Sequence, residues 1–144
     1  MTTTDQQSLT DALSAEYEAV YAYGVIAAYA SPDRNKIVAE YLASHRARRD
    51  ATIDTLKSLG SPVPTPAAAY TPPFPVNDPT PAAKLAATIE SDATTAWRAV
   101  VEHATTPDLR HTATEALTET ALRLATWQAI LGTNPATAAF PGKN

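Results

Sequence analysis

Between residues 61 and 80 the chain holds seven of its twelve prolines, and that placement limits the possible folds more than any other feature. Proline lacks a backbone N–H and fixes its own φ, so this stretch builds neither a helix interior nor a central strand. On both sides lie alanine-rich segments whose apolar residues recur every three to four positions, the period of an amphipathic helix. The pattern predicts helices over residues 5–30, 34–59, 81–105 and 108–131. Ser31-Pro32-Asp33 and Thr106-Pro107-Asp108 make tight breaks within each pair, while Gly60 stands where the second helix would close in the left-handed region and Gly132 follows the fourth.

The connections carry the topology. Two short breaks make the first and second helices antiparallel neighbours, and likewise the third and fourth. A helix of roughly 25 residues is roughly 38 Å long, and a proline-rich stretch of about 20 residues reaches about 60 Å. Residues 61–80 are therefore long enough to travel the length of a bundle and leave the second and third helices parallel. The expectation is an all-α four-helix bundle of ferritin-like topology in residues 1–133, with a lengthwise crossover and a coil tail over 134–144.

Composition narrows the function classes. The chain has 144 residues and no cysteine, which excludes disulfides, thiolate catalysis and iron–sulfur clusters. A formal net charge of -4 argues against a nucleic-acid binder. With four glycines in all, there is no glycine-rich phosphate loop. The first residues lack the basic and apolar regions of a secretory leader, and the longest apolar run, residues 19–30, is about half a membrane span. A cytoplasmic protein that spans no membrane is expected.

Chemistry, if present, sits where polar residues interrupt the core stripes. Glu16 interrupts the stripe of the first helix and Glu90 that of the third, while the second brings His45 and Arg49 inward. The fourth reads as a clean stripe through Leu117 and Leu124, with Glu119 at its edge. The hairpins look like diverged copies at an offset of 74 residues. That offset relates Glu16 to Glu90, Tyr23 to Trp97, His45 to Glu119 and Arg49 to Arg123. A buried carboxylate needs a partner. Glu16 with Arg49 and Glu90 with Arg123 would give two ion pairs at equal depth, with Tyr23 and Trp97 completing a structural polar core. Alternatively Glu16, His45, Glu90 and Glu119 would supply one metal donor per helix.

Residues 15–24 (Ala-Glu-Tyr-Glu-Ala-Val-Tyr-Ala-Tyr-Gly), residues 45–50 (His-Arg-Ala-Arg-Arg-Asp), the segment Tyr70-Thr71-Pro72-Pro73-Phe74-Pro75-Val76 and the tail Ala139-Phe140-Pro141-Gly142 resemble a family of actinobacterial ferritin-like domains of unknown function. The resemblance implies the fold and no activity. Ferritin-like di-iron proteins place a glutamate on the first and third helices and Glu-x-x-His on the second and fourth. Glu16, Glu90 and His45 match that pattern, but Leu42 stands three residues before His45, and Ala116 and Glu119 replace the other motif.

The expectation is therefore a non-enzymatic interaction or scaffold protein without a complete di-iron site. The alternative is a metal-binding or redox protein with a reduced carboxylate/histidine site that takes iron or manganese. The apolar second face of the first helix, with Tyr17, Tyr21 and Tyr29, calls for a cover. Tyr70 and Phe74 of the crossover and a second copy of the chain, in a homodimer, are the expected ones, with Gly24 allowing close approach.

Overall fold

The computed structural model describes residues 2–143, and among these the regular structure is wholly helical. The helices are α1 (Thr3–Tyr29), α2 (Asn35–Ser58), α3 (Pro79–His103) and α4 (Pro107–Ile130), with a single 3₁₀ turn, Pro32–Arg34, between the first two. Each lies within two residues of the bounds expected from periodicity and breaks.

Local chemistry sets the ends. α1 begins earlier than its apolar stripe requires because Thr2 and Asp5 form a reciprocal cap. The Thr2 hydroxyl accepts from the Asp5 amide at 3.2 Å, and the Asp5 carboxylate accepts from the Thr2 amide at 2.8 Å. Asp5 also accepts from the amide of Thr105 at 3.1 Å and from its hydroxyl, which ties the start of α1 to the α3–α4 turn. α2 closes on Gly60 at φ 66°, where the Gly60 amide donates to Lys57 and that of Ser61 to Leu56. α4 starts on a Thr106 cap with Pro107 in its first turn.

α1 packs directly on α2 and α3, and α3 on α4. α2 and α4 face each other across a wider gap that long side chains bridge, Tyr41 to Trp127 and Arg48 to Glu119. The core divides into two apolar layers. One gathers Leu9, Leu13, Leu56, Trp97, Val100 and Leu109. The other gathers Tyr23, Ile26, Val38, Leu85, Ile89 and Trp127. Between them lies a polar layer.

The proline-rich segment lies on α1. The Tyr17 hydroxyl donates to the Pro64 carbonyl at 2.8 Å, and the rings of Tyr21 and Tyr70 meet edge-on at 5.6 Å. Phe74 and Val76 pack against the layer around Tyr23. A Cβ placed on Gly24 would meet nothing within 4 Å, so the close approach expected there does not occur within the chain. The tail after α4 returns to α3, where Arg98 donates to the Pro141 carbonyl at 3.1 Å.

Candidate functional site: a buried carboxylate–imidazole centre

Glu16, His45 and Glu90 come from three helices to one fully buried point. Each enters from the apolar face of its helix, because the three-to-four-residue period that buries Leu13, Val38 and Ala86 also buries them. His45 lies between the two carboxylates. Its Nδ1 is 2.6 Å from Glu16 Oε2, and its Nε2 is 2.9 Å and 3.1 Å from the two oxygens of Glu90.

The protonation state follows from these contacts. Burial alone would drive the imidazole towards neutrality, but the bonds to Glu16 and Glu90 outweigh it and raise its pKa from 6.5 to about 9. His45 is therefore an imidazolium at neutral pH, donating from both ring nitrogens. Burial likewise works to raise the Glu90 pKa. His45 and Arg123 more than offset it, so the carboxyl ionises below its usual range.

Each of the other carboxylate oxygens is also partnered. Glu16 Oε1 accepts from Trp97 Nε1 at 2.9 Å. Glu90 accepts from the Tyr23 hydroxyl at 2.5 Å and from Arg123 Nε at 3.1 Å. The Tyr23 oxygen in turn accepts from Trp127 Nε1 at 3.0 Å. Burial first, and then the adjacent Glu90 charge, hold the Tyr23 phenol well above its ordinary pKa, so it stays a donor. Among the described residues no buried side-chain nitrogen or oxygen lacks a partner. Two carboxylates, one imidazolium and one guanidinium sum to zero charge, the condition under which ions tolerate a dry interior.

The other residues singled out in the sequence divide. Arg123, Tyr23 and Trp97 join the centre. Arg49 does not, because its Nε donates at 2.9 Å to the neighbouring Asp50 at the surface, and His45 takes the place at Glu16 that an arginine would have filled. Glu119 points away from the centre and binds Arg48 at 2.9 Å with half of its side chain exposed. On α4 Leu109, Ala113, Thr120 and Trp127 are buried as the stripe read from the sequence has them, but Ala116 and Arg123 take the inward places given to Leu117 and Leu124. The sequence reading missed Arg48. Arg48 stands three residues after His45, a spacing that puts both on one side of the helix, and its guanidinium lies 5.9 Å from the Trp97 ring.

A di-metal centre does not fit these donors. Both ring nitrogens of His45 are directed at carboxylate oxygens, so a cation would have to displace a proton from the imidazolium. A divalent ion would then leave the pocket with one uncompensated positive charge. Among the described residues no group of three or more histidine, aspartate or glutamate side chains is arranged to hold a metal ion.

Comparison with known proteins places the chain. Residues 8–144 match the family described as "Domain of unknown function (DUF4439)". The chain belongs to this family. A solved structure, that of a conserved hypothetical protein, rv2844, from Mycobacterium tuberculosis, is 42% identical. It superimposes with a TM-score of 0.88 over 90% of this chain and 98% of that one. No curated protein matches the chain. The DUF4439 match takes in all three residues of the buried centre and extends through the tail, where Gly142 meets α3. Among the described residues no helix is long and apolar enough to cross a membrane.

Proposed function

We propose that this DUF4439 chain is a ferritin-like bundle in which an internal ion network stands where a di-iron centre would be, and that it acts as a non-enzymatic interaction or scaffold protein. The observation that carries the reading is the bridging position of His45. One imidazolium holds Glu16 and Glu90 together, and both of its ring nitrogens and every carboxylate oxygen of the centre already have a partner. The ferritin-like topology is supported by the pairings Glu16–Trp97 and Tyr23–Glu90, which set α1 and α3 antiparallel, and by Glu16–His45 with Tyr23–Tyr41, which do the same for α1 and α2. α2 and α3 are then parallel. The crossover is supported by the order of its contacts along α1, from Pro64 at Tyr17 to Tyr70 at Tyr21 and Pro72 and Pro73 beside Val25.

Exposed apolar side chains offer surfaces for partners. Leu122 on α4 and Phe140 in the tail are each 65% exposed, and Tyr29 on α1 is 43% exposed. A homodimer through the Tyr29 end of α1 is part of the proposal, and light scattering of Tyr29→Glu tests it. A shift from dimer to monomer is the expected result, and a monomeric wild type contradicts it.

The alternative is a metal-binding or redox protein using Glu16, His45 and Glu90. It is favoured by the convergence of three metal-ligating side chains at one buried point. Elemental analysis of purified protein, with melting curves in iron, manganese and zinc, separates the two. The scaffold reading expects no stoichiometric metal and unchanged melting, whereas the alternative requires saturable stabilisation lost in His45→Ala.

A further inference from the structure

The gap between α2 and α4 is more than a packing defect. It opens as a cleft of about 490 Å³ lined by Ser44, Ala47, Arg48, Ala51, Glu119 and Arg123. The three α2 residues other than arginine are small, which is why the helices stand apart and why two guanidiniums meet the space. Arg48 and Ala51 also line an adjoining hollow of about 170 Å³, which carries Asp108 on its lining.

The two arginines are held differently. Arg123 is anchored by its Nε bond to the buried Glu90 and by the Tyr41 ring, whose centroid lies 5.9 Å from the guanidinium carbon. Its other N–H groups find no acceptor among the described residues, and since no buried side-chain nitrogen there lacks a partner, they reach the water of the cleft. The planar fork beyond Nε is thus presented outward, its side chain only 9% exposed and fixed in place. Arg48 is braced by the Trp97 ring and spends one Nη on Glu119. Glu119 is half exposed and is replaceable by another oxyanion at the same nitrogen. The charge of Arg123 is already matched within the neutral buried centre, so the lining adds Arg48 against Glu119, and moving Glu119 aside leaves one net positive charge facing the cleft.

We propose that this cleft binds a compact oxyanion, the carboxylate or phosphate group of a small molecule, clamped between the Arg123 fork and Arg48. Guanidinium pairs favour such groups because their parallel N–H bonds match the oxygen spacing. Glu119 acts as the resident competitor that the ligand displaces. The inference is independent of whether the buried centre takes a metal.

Titration of the ¹⁵N-labelled protein with inorganic phosphate, with citrate, and with chloride at matched ionic strength tests it. Saturable shifts at Ala47, Ala51 and Glu119 are expected with phosphate or citrate and not with chloride. Saturation by one alone assigns the group as phosphate or as carboxylate. Glu119→Gln, which leaves the buried centre untouched, should tighten binding by about 2- to 5-fold. Arg48→Gln should weaken it by roughly 10-fold or more, with the melting temperature checking that the fold is retained. No saturation with either probe, an equal response to chloride, or a Glu119→Gln variant that binds no more tightly would overturn the proposal.

Discussion

Glu16 and Glu90 stand 74 residues apart, and each accepts a hydrogen bond from the aromatic residue that follows the other by seven positions. Trp97 donates to Glu16 at 2.9 Å and Tyr23 donates to Glu90 at 2.5 Å. The two bonds exchange under the 74-residue offset that relates the two hairpins in the sequence. His45 breaks the symmetry. Its counterpart Glu119 has left the interior for Arg48, and the single imidazolium serves both carboxylates.

The pH dependence of stability follows from that bridge. The His45 pKa is about 9 in the folded chain against 6.5 for a free imidazole, so the folded state binds the proton more tightly. The contribution is fully present below about pH 6.5 and is lost as pH rises through about 9, a change of roughly 3 kcal/mol. Glu90, whose folded pKa is lowered, contributes stability that is lost as pH falls into the acid range. Urea denaturation should show highest stability between about pH 5 and 6.5 and a decline towards about pH 9.5.

The two glutamates are not equal despite their symmetry. Glu90 accepts from His45, Tyr23 and Arg123, so Glu90→Gln leaves a buried imidazolium and a guanidinium short of charge. It should cost about 3–5 kcal/mol. Glu16→Gln removes the charge facing one His45 nitrogen and keeps an acceptor for Trp97, and should cost about 1–3 kcal/mol. Denaturant midpoints of the two variants at one pH decide it, and equal losses would contradict this geometry.

Arg49 and Arg123 show how far the sequence was legible. The helix bounds, the breaks and the polar interruptions at Glu16, His45 and Glu90 could all be read from period and from proline and glycine placement, because those signals are local. Which arginine turns inward could not, since the internal offset makes the two equivalent. The choice depends on whether His45 has already filled the site across the helix gap. On α4 the error was one position. Leucines drew the stripe to Leu117 and Leu124 where Ala116 and Arg123 turn inward, while Ala116 and the correctly read Thr120 are small enough to make room for the guanidinium. Arg49→Ala should therefore change stability by less than about 0.5 kcal/mol, whereas Arg123→Ala, which strips Glu90 of its cation, should cost several times that. Thermal melts of the two variants side by side are the check.

Two glycines give opposite expectations. Gly142 has φ 76°, and a Cβ there would lie 2.7 Å from the Thr94 carbonyl oxygen and 2.8 Å from Arg98 Cβ. Gly142→Ala should release the tail from α3 and lower stability by about 1–2 kcal/mol. Gly24 sits inside α1 with open space around it, so Gly24→Ala should stabilise the chain by about 0.5–1 kcal/mol. Opposite shifts in melting temperature are the expected outcome.

The charge state of His45 is the centre of the account, and its ring nitrogens report it directly. Long-range ¹H–¹⁵N NMR of the imidazole at about pH 7.5 should show both nitrogens protonated, with loss of a proton only near pH 9. The signals should also be unmoved by one equivalent of zinc. A neutral ring at that pH, or a saturable change on adding zinc that is absent in Glu16→Gln, would contradict the ion-network reading and return the site to metal chemistry.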